Sequence, residues 1–259
     1  MIDSIESIVR EAGRTVRERH ITSITTKGTK DNIVTSADIE TEAFLKKRLT
    51  GLIPGSVFIG EEGDENKLPE KGYGWIVDPI DGTANFSRGI PMVGISVALF
   101  KDGEPYIGVV YNPFTDTLFR AETGKGAFRN GVPMHVSDRP LENSLFCTAW
   151  CTYHKELSPL CFRVSERLYP ICEDIRRTGT AACELSMLAA GSVDLYFEIN
   201  LSPWDYAAAL ICVKEAGGVF GRIDGDMTYD APGPVLAANC EENLEFLRMI
   251  VAEERDRGE

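Results

Sequence analysis

Basic charge is scarce in this sequence. Lysine and arginine together number 27, against 40 aspartate and glutamate residues, which gives a formal net charge of −13. No extended basic patch interrupts this acidity, so nucleic acid and anionic membranes are not expected as partners. An acidic surplus of this size instead suits bound cations.

Long apolar runs are also missing. None approaches the roughly 20 residues needed to cross a bilayer, although hydrophobic residues make up 43% of the 259 and suffice for a substantial core. The amino terminus lacks the basic-then-apolar order of a signal peptide and has instead the apolar spacing of an amphipathic helix. We therefore expect a soluble, cytoplasmic chain.

Cysteine and histidine offer little chemistry. The seven cysteines form no CxxC or Cys/His ligand spacing, the closest pair being Cys147 and Cys151, so reduced and mostly buried thiols are expected. A serine hydrolase needs a nucleophile elbow such as G-x-S-x-G and a histidine, but the three histidines are scattered and the elbow is missing. The D-x-D-x-T motif of haloacid-dehalogenase phosphatases is also missing, so these enzyme classes are set aside.

Hydrophobic periodicity divides the chain into two parts. Two predicted helices precede short β-branched and aromatic runs, which are broken by the turn sequences KDGEP, NPFTD and RNGVP and predict an antiparallel sheet. Farther along, predicted strands, among them Ile171–Ile175, alternate with helices as in an α/β layer. We predict an α/β (α+β) chain whose halves, residues 1–140 and 141–259, share an interface.

The segment Trp75–Phe86 carries two aspartates three positions apart and reads WIVDPIDGTANF. Its first residues predict a buried strand that ends at Asp78, because Pro79 cannot donate to a strand ladder and forces the chain out of the sheet. Residues three apart on a regular strand point to opposite faces. The bend at Pro79 is therefore expected to bring Asp78 and Asp81 together.

Gly82 and Thr83 follow these aspartates. Glycine permits close backbone approach, and a helix that begins at Thr83 would offer free amide groups to an anion. Carboxylates suited to cations would then lie beside amides suited to phosphate. An ordinary turn is the alternative reading, since Asp, Pro and Gly dominate turns for local reasons.

Three further segments with acidic residues also have an ordinary structural explanation beside a functional one. Glu61 and Glu62 follow a strand end in FIGEEGD, where acids are usually solvated. Asp205 begins the helical pattern of SPWDYAAALICVKEAGG, where a helix N-cap is the ordinary explanation. Thr35 and Asp38 form a capping-box pattern, T-x-x-D, ahead of an apolar helix.

Together, three ordered motifs resemble those of the inositol monophosphatase family of Mg²⁺-dependent, lithium-sensitive phosphatases: GEEG, WIVDPIDGTANF and PWDYAA. Further similarity, in DNIVTSAD, RRTGTAA and GKGAFRNG, extends the resemblance over nearly the whole chain. It implies the five-layer αβαβα sandwich of the inositol monophosphatase and fructose-1,6-bisphosphatase type, and a homodimer. One departure is Ala209, where many relatives carry glycine; we expect only a packing adjustment there.

The resemblance also implies a catalytic site with two or three Mg²⁺ ions. The implied metal ligands, with Asp78 shared between two ions, are Glu61, Asp78, the main-chain carbonyl of Ile80, Asp81 and Asp205. Water is the implied nucleophile, and the residues implied to be catalytic are Glu61, Thr83 and Asp38. Glu62 is expected just outside the ligands or at a third, weaker ion, and Lys27 in a loop that closes over the site in relatives.

Substrate choice depends on the leaving-group pocket, because relatives also hydrolyse fructose-1,6-bisphosphate, histidinol phosphate or 3′-phosphoadenosine phosphate. The resemblance implies substrate contacts from Asp81, Gly82, Thr83, Gly179, Thr180, Ala181, Glu198 and Asp205. A carboxylate seven residues before Asp205 suits the hydroxyls of a polyol and favours inositol monophosphate over these related substrates. A different reading is a binding protein of the transcription machinery that retains the fold.

Overall fold

The computed structural model describes residues 1–18, 23–26, 33–63 and 67–257 of the chain. Lys27 lies outside the described residues. The helices of the described part are α1 (Ile2–Glu18), α2 (Ser36–Leu52), α3 (Thr83–Phe86), α4 (Ser158–Leu168), α5 (Ala181–Ala189), α6 (Pro203–Glu215) and α7 (Glu241–Asp256).

The strands of the described residues form three sheets. A two-stranded sheet pairs β1 (Ile24–Thr26) with β2 (Ile33–Thr35). The larger sheet contains, in spatial order, β3 (Val57–Gly60), β4 (Tyr73–Asp81), β5 (Gly94–Lys101), β6 (Glu104–Asn112), β7 (Thr117–Glu122), β8 (Ala127–Arg129) and β9 (Val132–Met134). The third, five-stranded sheet has the order β11 (Asp174–Arg176), β10 (Leu145–Thr148), β12 (Leu195–Leu201), β14 (Gly233–Ala238) and β13 (Val219–Gly221).

Two hairpins of the larger sheet follow from their turn residues. Asp102 and Gly103 connect β5 to β6 with φ values of 54° and 82°, and Asn130 and Gly131 connect β8 to β9 with 48° and 80°. Positive φ at both turn positions belongs to the type I′ turn, whose twist matches that of antiparallel strands. The predicted antiparallel sheet is therefore confirmed, with one parallel pair, β3 and β4, at its edge.

The five-stranded sheet differs from the prediction in two places. Strand β11 begins at Asp174 and not at Ile171, because the amides of Ile171 and Cys172 still donate to the carbonyl of Leu168 at the end of α4. Strand β13 has no counterpart in the predicted pattern, since its three residues come directly after the turn that ends α6.

The helices and sheets stack in five layers. Helices α1 and α2 share a core with one face of the larger sheet, and α4 and α7 share another with the five-stranded sheet. Helices α5 and α6 lie between the sheets, where Tyr206 of α6 belongs to the same core cluster as Val110 and Val235. The αβαβα sandwich is thus confirmed.

Close packing positions α6, which carries one of the predicted ligands. A Cβ at Gly108 of β6 would lie 2.2 Å from the carbonyl oxygen of Ala208, so glycine lets the helix backbone rest on the sheet. Ala209, the departure from the family pattern, is fully buried in this layer. The predicted boundary at residues 140 and 141 falls between β9 and β10, and the division into two halves stays a prediction.

Two expectations from composition concern the whole described structure. None of the helices within residues 1–18, 33–63 and 67–257 combines the length and the apolarity that a membrane span requires. All seven cysteines are free thiols, and six are buried, with Cys240 exposed. The expected pattern of mostly buried, unpaired cysteines is confirmed.

Candidate active site

A β-bulge brings Asp78 and Asp81 of β4 together. Asp78 pairs with Ser96 and Asp81 with Gly94, so three residue steps on β4 oppose two on β5. The extra residue cancels the alternation that would send the two side chains to opposite faces. The predicted exit of the chain at Asp78 is wrong, because the bulge accommodates Pro79 and β4 continues to Asp81.

A third carboxylate reaches this position from α6. One oxygen from each of Asp78, Asp81 and Asp205 lies within 4.8 Å of the others. Asp205 is the third residue of α6, and its Oδ2 accepts a hydrogen bond from the amide of Ser202 at 2.7 Å. It therefore closes a capping box and is not the N-cap residue itself. The Asp205 carboxylate therefore caps the start of α6 and also belongs to the acidic cluster.

The cluster is electrostatically unfavourable without a cation. Burial is the largest cause of the raised pKa of Asp78, and the neighbouring carboxylates raise that pKa further. Burial also raises the pKa of Asp205, to which the negative charge of Asp81 adds. Burial raises the pKa of Asp81 to about 6, although hydrogen bonds from Thr180 and α5 lower it.

The donor set fits Mg²⁺. Among the described residues, no lysine or arginine forms an ion pair with any of the three clustered aspartates. Buried carboxylates this close together need a compensating charge. Mg²⁺ prefers oxygen ligands and keeps several waters, so three carboxylates at a strand end and a helix start suit it.

Strand β3 brings two glutamates toward the same end of the sheet. The amide of Glu61 donates to the carbonyl of Val77 on β4 at 3.3 Å. Glu61 is not part of the three-carboxylate cluster, but its charge raises the pKa of Asp78. The amide of Glu62 donates to Oε2 of buried Glu42 in α2 at 2.8 Å, so Glu42 fixes this turn.

Asp38 and Thr83 meet although they are 45 positions apart in sequence. Thr83 Oγ1 lies 3.0 Å from Asp38 Oδ1 and 3.1 Å from the carbonyl oxygen of Ile80. Asp38 Oδ2 accepts from the amide of Thr35 at 2.8 Å and from the hydroxyl of Thr35, which confirms the capping box. Burial raises the pKa of Asp38, and these hydrogen bonds lower it.

Gly82 connects the acidic strand to α3. Its φ is +92°, and a Cβ there would lie 3.1 Å from the carbonyl oxygen of Met92 and 3.2 Å from that of Gly179. The expected close backbone approach is therefore present. Helix α3 begins at Thr83, as predicted, but has only four residues.

Gly82→Ala is expected to destabilise the fold by about 1–3 kcal/mol and to lower activity, since the new Cβ strains the backbone between two site residues. Gly89→Ala is the matched control: its φ is +70°, but its Cβ would meet no atom within 4 Å. Urea unfolding and phosphatase assays of both variants check this expectation. Equal effects in the two variants would contradict the steric argument.

The start of α5 lies against Asp81. Oδ2 of Asp81 accepts a hydrogen bond from the amide of Ala182 at 2.7 Å and another from the hydroxyl of Thr180. Thr180 is the N-cap of α5 and Ala181 is its first residue. The acidic cluster and the predicted leaving-group segment are thus in direct contact.

Two side chains hold the loop before α5. Gly179 has a φ of +86°, and the carbonyl of its neighbour Thr178 accepts from Asn85 Nδ2 at 2.8 Å. Oε1 of buried Glu184 accepts from the amides of Thr178 and Gly179, the latter at 3.2 Å. Burial raises the pKa of Glu184 to about 7.

Glu198 lies on β12, beside the acidic cluster. Its Oε2 accepts a hydrogen bond from the hydroxyl of Tyr196 at 2.9 Å. Burial raises the pKa of Glu198 to about 8, and its negative charge in turn raises the pKa of Asp205. The structure therefore places the predicted polyol-binding carboxylate next to a predicted metal ligand.

Three supporting residues are missing from the sequence prediction. Glu42 lies one helical turn after Asp38 on the buried face of α2, and Glu184 is the one acid in the apolar run AACELSMLA. A charged residue at a core position is the signal that could have found both. Asn85 stands inside the quoted motif, but its partner Thr178 lies 93 positions away.

Known proteins resemble this chain over most of its length. Residues 2–255 match the inositol monophosphatase family. It is 34% identical over 235 residues to Nus factor SuhB of Salmonella typhimurium, covering 89% of this chain and 88% of the relative. It is also 34% identical over 241 residues to the inositol-1-monophosphatase of Bacillus subtilis, covering 89% of each.

A solved structure of an IMPase also superposes on this chain. The IMPase of Thermotoga maritima superposes with a TM-score of 0.88 at 30% identity, covering 98% of this chain and 97% of that one. The match over nearly the full length includes all three sheets and all three acidic motifs. The chain therefore belongs to the inositol monophosphatase family of phosphatases.

Proposed function

We propose that this protein is a Mg²⁺-dependent phosphomonoesterase that hydrolyses inositol monophosphate to inositol and phosphate. The observation that carries the proposal is the convergence of Asp78, Asp81 and Asp205 within 4.8 Å, next to Glu198 and the start of α5. The cluster suits a metal ion, and its neighbours suit a phosphate ester of a polyol. The family is Mg²⁺-dependent.

The family resemblance supplies the two proposed ligand sets, and the three-carboxylate cluster supports the second of them. One ion would be held by Glu61, Asp78 and the carbonyl of Ile80, and another by Asp78, Asp81 and Asp205. When bound, the ions supply Lewis-acid chemistry that offsets the charge of the transferring phosphoryl group. The amide of Glu62 donates to Glu42, which fixes the turn that contains Glu61 and Glu62.

Thr83 and Asp38 are proposed to receive the proton of the attacking water. Thr83 Oγ1 carries one hydrogen, which it can donate to Asp38 Oδ1 at 3.0 Å. Its lone pairs then accept a hydrogen bond from water and orient that water for attack on phosphorus. As the new P–O bond forms and the ester P–O bond breaks, one proton of the water passes through Thr83 to Asp38, which later returns it to solvent, and the departing inositol oxygen takes up a proton from solvent.

The leaving group is proposed to lie between Glu198 and the segment Gly179–Ala181. A carboxylate accepts hydrogen bonds from ring hydroxyls, and the exposed backbone of Gly179 can approach the ring closely. Phosphoryl transfer depends mainly on such positioning and on electrostatic stabilisation. Gly82 and Thr83 would contact the phosphate.

Glu198→Gln tests the substrate assignment. The ratio of kcat/KM for inositol 1-phosphate to that for 4-nitrophenyl phosphate should fall by a factor equivalent to about 1–3 kcal/mol, because only the polyol uses the carboxylate. Glu245→Gln, an exposed glutamate paired with Arg248, is the matched control. An unchanged ratio in Glu198→Gln would remove the reason for preferring inositol phosphate over fructose, histidinol or adenosine phosphates.

A second candidate function is binding to the transcription machinery. The relatives named Nus factor SuhB, at 34% identity, favour it, whereas the net charge of −13 does not favour binding to nucleic acid. A binding role that needs no catalysis should persist in Asp78→Asn. Association with purified RNA polymerase, measured for the wild type and for that variant, tests this candidate.

The proposed homodimer rests on family resemblance alone. Light scattering of the purified chain at micromolar concentration should give the mass of two copies. A monomer mass under these conditions would contradict it.

A further inference from the structure

Strand β12 places a tyrosine next to the proposed polyol-binding carboxylate. Tyr196 and Glu198 are two positions apart and therefore point to the same face of the strand. They pair with Ala237 and Val235 of β14, so the strand is regular across both positions. The Tyr196 hydroxyl lies 2.9 Å from Glu198 Oε2.

Tyr196 is fully buried, which makes this hydrogen bond important. Its ring belongs to the core that joins the two large sheets. In the described part of the chain, Glu198 is the hydrogen-bond partner of the Tyr196 hydroxyl. A buried hydroxyl without its partner would lose its hydration with no compensation, so the two groups hold each other in place.

The hydrogen bond from Tyr196 also determines which oxygen of Glu198 is left to accept a hydrogen bond from a ligand. A carboxylate has two oxygens, and Oε2 already accepts a hydrogen bond from the Tyr196 hydroxyl. Oε1 is left to accept from a ligand.

We propose that Tyr196 is a positioning residue for substrate selection: its hydroxyl fixes the orientation of Glu198 so that Oε1 faces the hydroxyls of the leaving group. This inference rests on the proposed function of Glu198. In this role Tyr196 acts on the substrate through Glu198, to which its hydroxyl donates. Without its hydroxyl, the Glu198 carboxylate rotates among orientations, of which only some bind the polyol.

The alternative is that Tyr196 only fills the core. A core residue affects stability and lowers turnover on every substrate alike. A positioning residue changes the preference between substrates, and it does so only while Glu198 is present. The two roles are therefore separable by kinetics.

Tyr196→Phe removes the hydroxyl and keeps the ring. The ratio of kcat/KM for inositol 1-phosphate to that for 4-nitrophenyl phosphate should fall about 10-fold, mainly through a higher KM for inositol 1-phosphate, because a hydrogen bond to a charged group is lost. In the Glu198→Gln background, Tyr196→Phe should change the ratio by less than about twofold. Tyr111→Phe is the control, because Tyr111 is another buried tyrosine whose hydroxyl donates to a carboxylate, that of Asp116, at 2.9 Å.

The inference that Tyr196 positions Glu198 predicts one pattern of kcat/KM ratios, and every other pattern contradicts it. It is overturned if Tyr196→Phe leaves the ratio unchanged while Glu198→Gln lowers it, and the proposed function then stands. It is also overturned if Tyr196→Phe lowers the ratio equally in both backgrounds, or slows both substrates alike. If Glu198→Gln itself leaves the ratio unchanged, the proposed function fails and this inference fails with it. Thermal unfolding of every variant shows that the comparison concerns folded protein.

Discussion

Asp78→Asn is expected to lower turnover on every phosphate ester by about three orders of magnitude or more, because it removes the ligand that both proposed ions share. The bulge of β4 places Asp78 next to Asp81 and Asp205. Asparagine keeps the size of the side chain and removes one buried negative charge. The fold should therefore survive, and the metal-free variant should be at least as stable as the metal-free wild type.

The control for Asp78→Asn distinguishes the loss of a metal ligand from the mere loss of one negative charge. Asp224→Asn makes the same change at an exposed aspartate that pairs with Arg255, and it should leave turnover unaltered. Steady-state kinetics on inositol 1-phosphate and 4-nitrophenyl phosphate, with circular dichroism of each variant, provide the measurement. Turnover of Asp78→Asn within about tenfold of wild type would contradict the assignment of a shared ligand.

Metal-free protein is expected to lose stability as pH rises from 5 to 8. The pKa of Asp81 is raised to about 6, of Glu184 to about 7 and of Glu198 to about 8, with burial the largest cause in each case. In this range the folded chain holds protons that the unfolded chain has released, so the free energy of unfolding falls with pH. A carboxyl group whose pKa rises from 3.8 to about 6 loses about 3 kcal/mol of folding stability once it is ionised.

The pH window excludes the acids whose pKa is lowered. The acids with lowered pKa, such as Glu122 and Asp174, titrate below their ordinary values of 4.5 and 3.8, so their stabilising contribution is complete before pH 5. Mg²⁺ should offset the loss, since it binds the ionised carboxylates of the folded state.

Urea unfolding at several pH values, in chelator and in Mg²⁺, measures both effects. Glu184→Gln should flatten the slope in chelator, because it removes one of the titrating groups. Stability that stays constant or rises with pH in chelator would contradict the electrostatic description of the site.

Local sequence signals predicted the residues of the acidic cluster better than the geometry of the cluster. Several correctly predicted features depend on residues only a few positions apart. They are the pairing of Thr35 with Asp38, the start of α3 at Thr83, and two hairpins, one with an Asp-Gly turn and one with an Asn-Gly turn. Such signals can be read directly from a sequence. The acids of the cluster were identified from their motifs, but how they converge was not.

Long-range pairing explains what the sequence could not predict. Whether Pro79 ends β4 or is absorbed in a bulge depends on the register of β5, which a local pattern does not contain. Glu42 and Glu184 bind amides of loops whose position depends on the packing of separate layers. The contact between Tyr196 and Glu198 follows from strand alternation, once the limits of β12 are known.

Phosphate release from inositol 1-phosphate is the most direct test of the central claim, that the acidic cluster is the metal site of a phosphatase. The purified chain, freed of metal with chelator, should release no phosphate from inositol 1-phosphate. Mg²⁺ in the millimolar range should restore release, and lithium should then lower it, as expected of a partly hydrated, all-oxygen site that resembles lithium-sensitive relatives. Full turnover in the presence of chelator would contradict the metal site and the proposed function that depends on it.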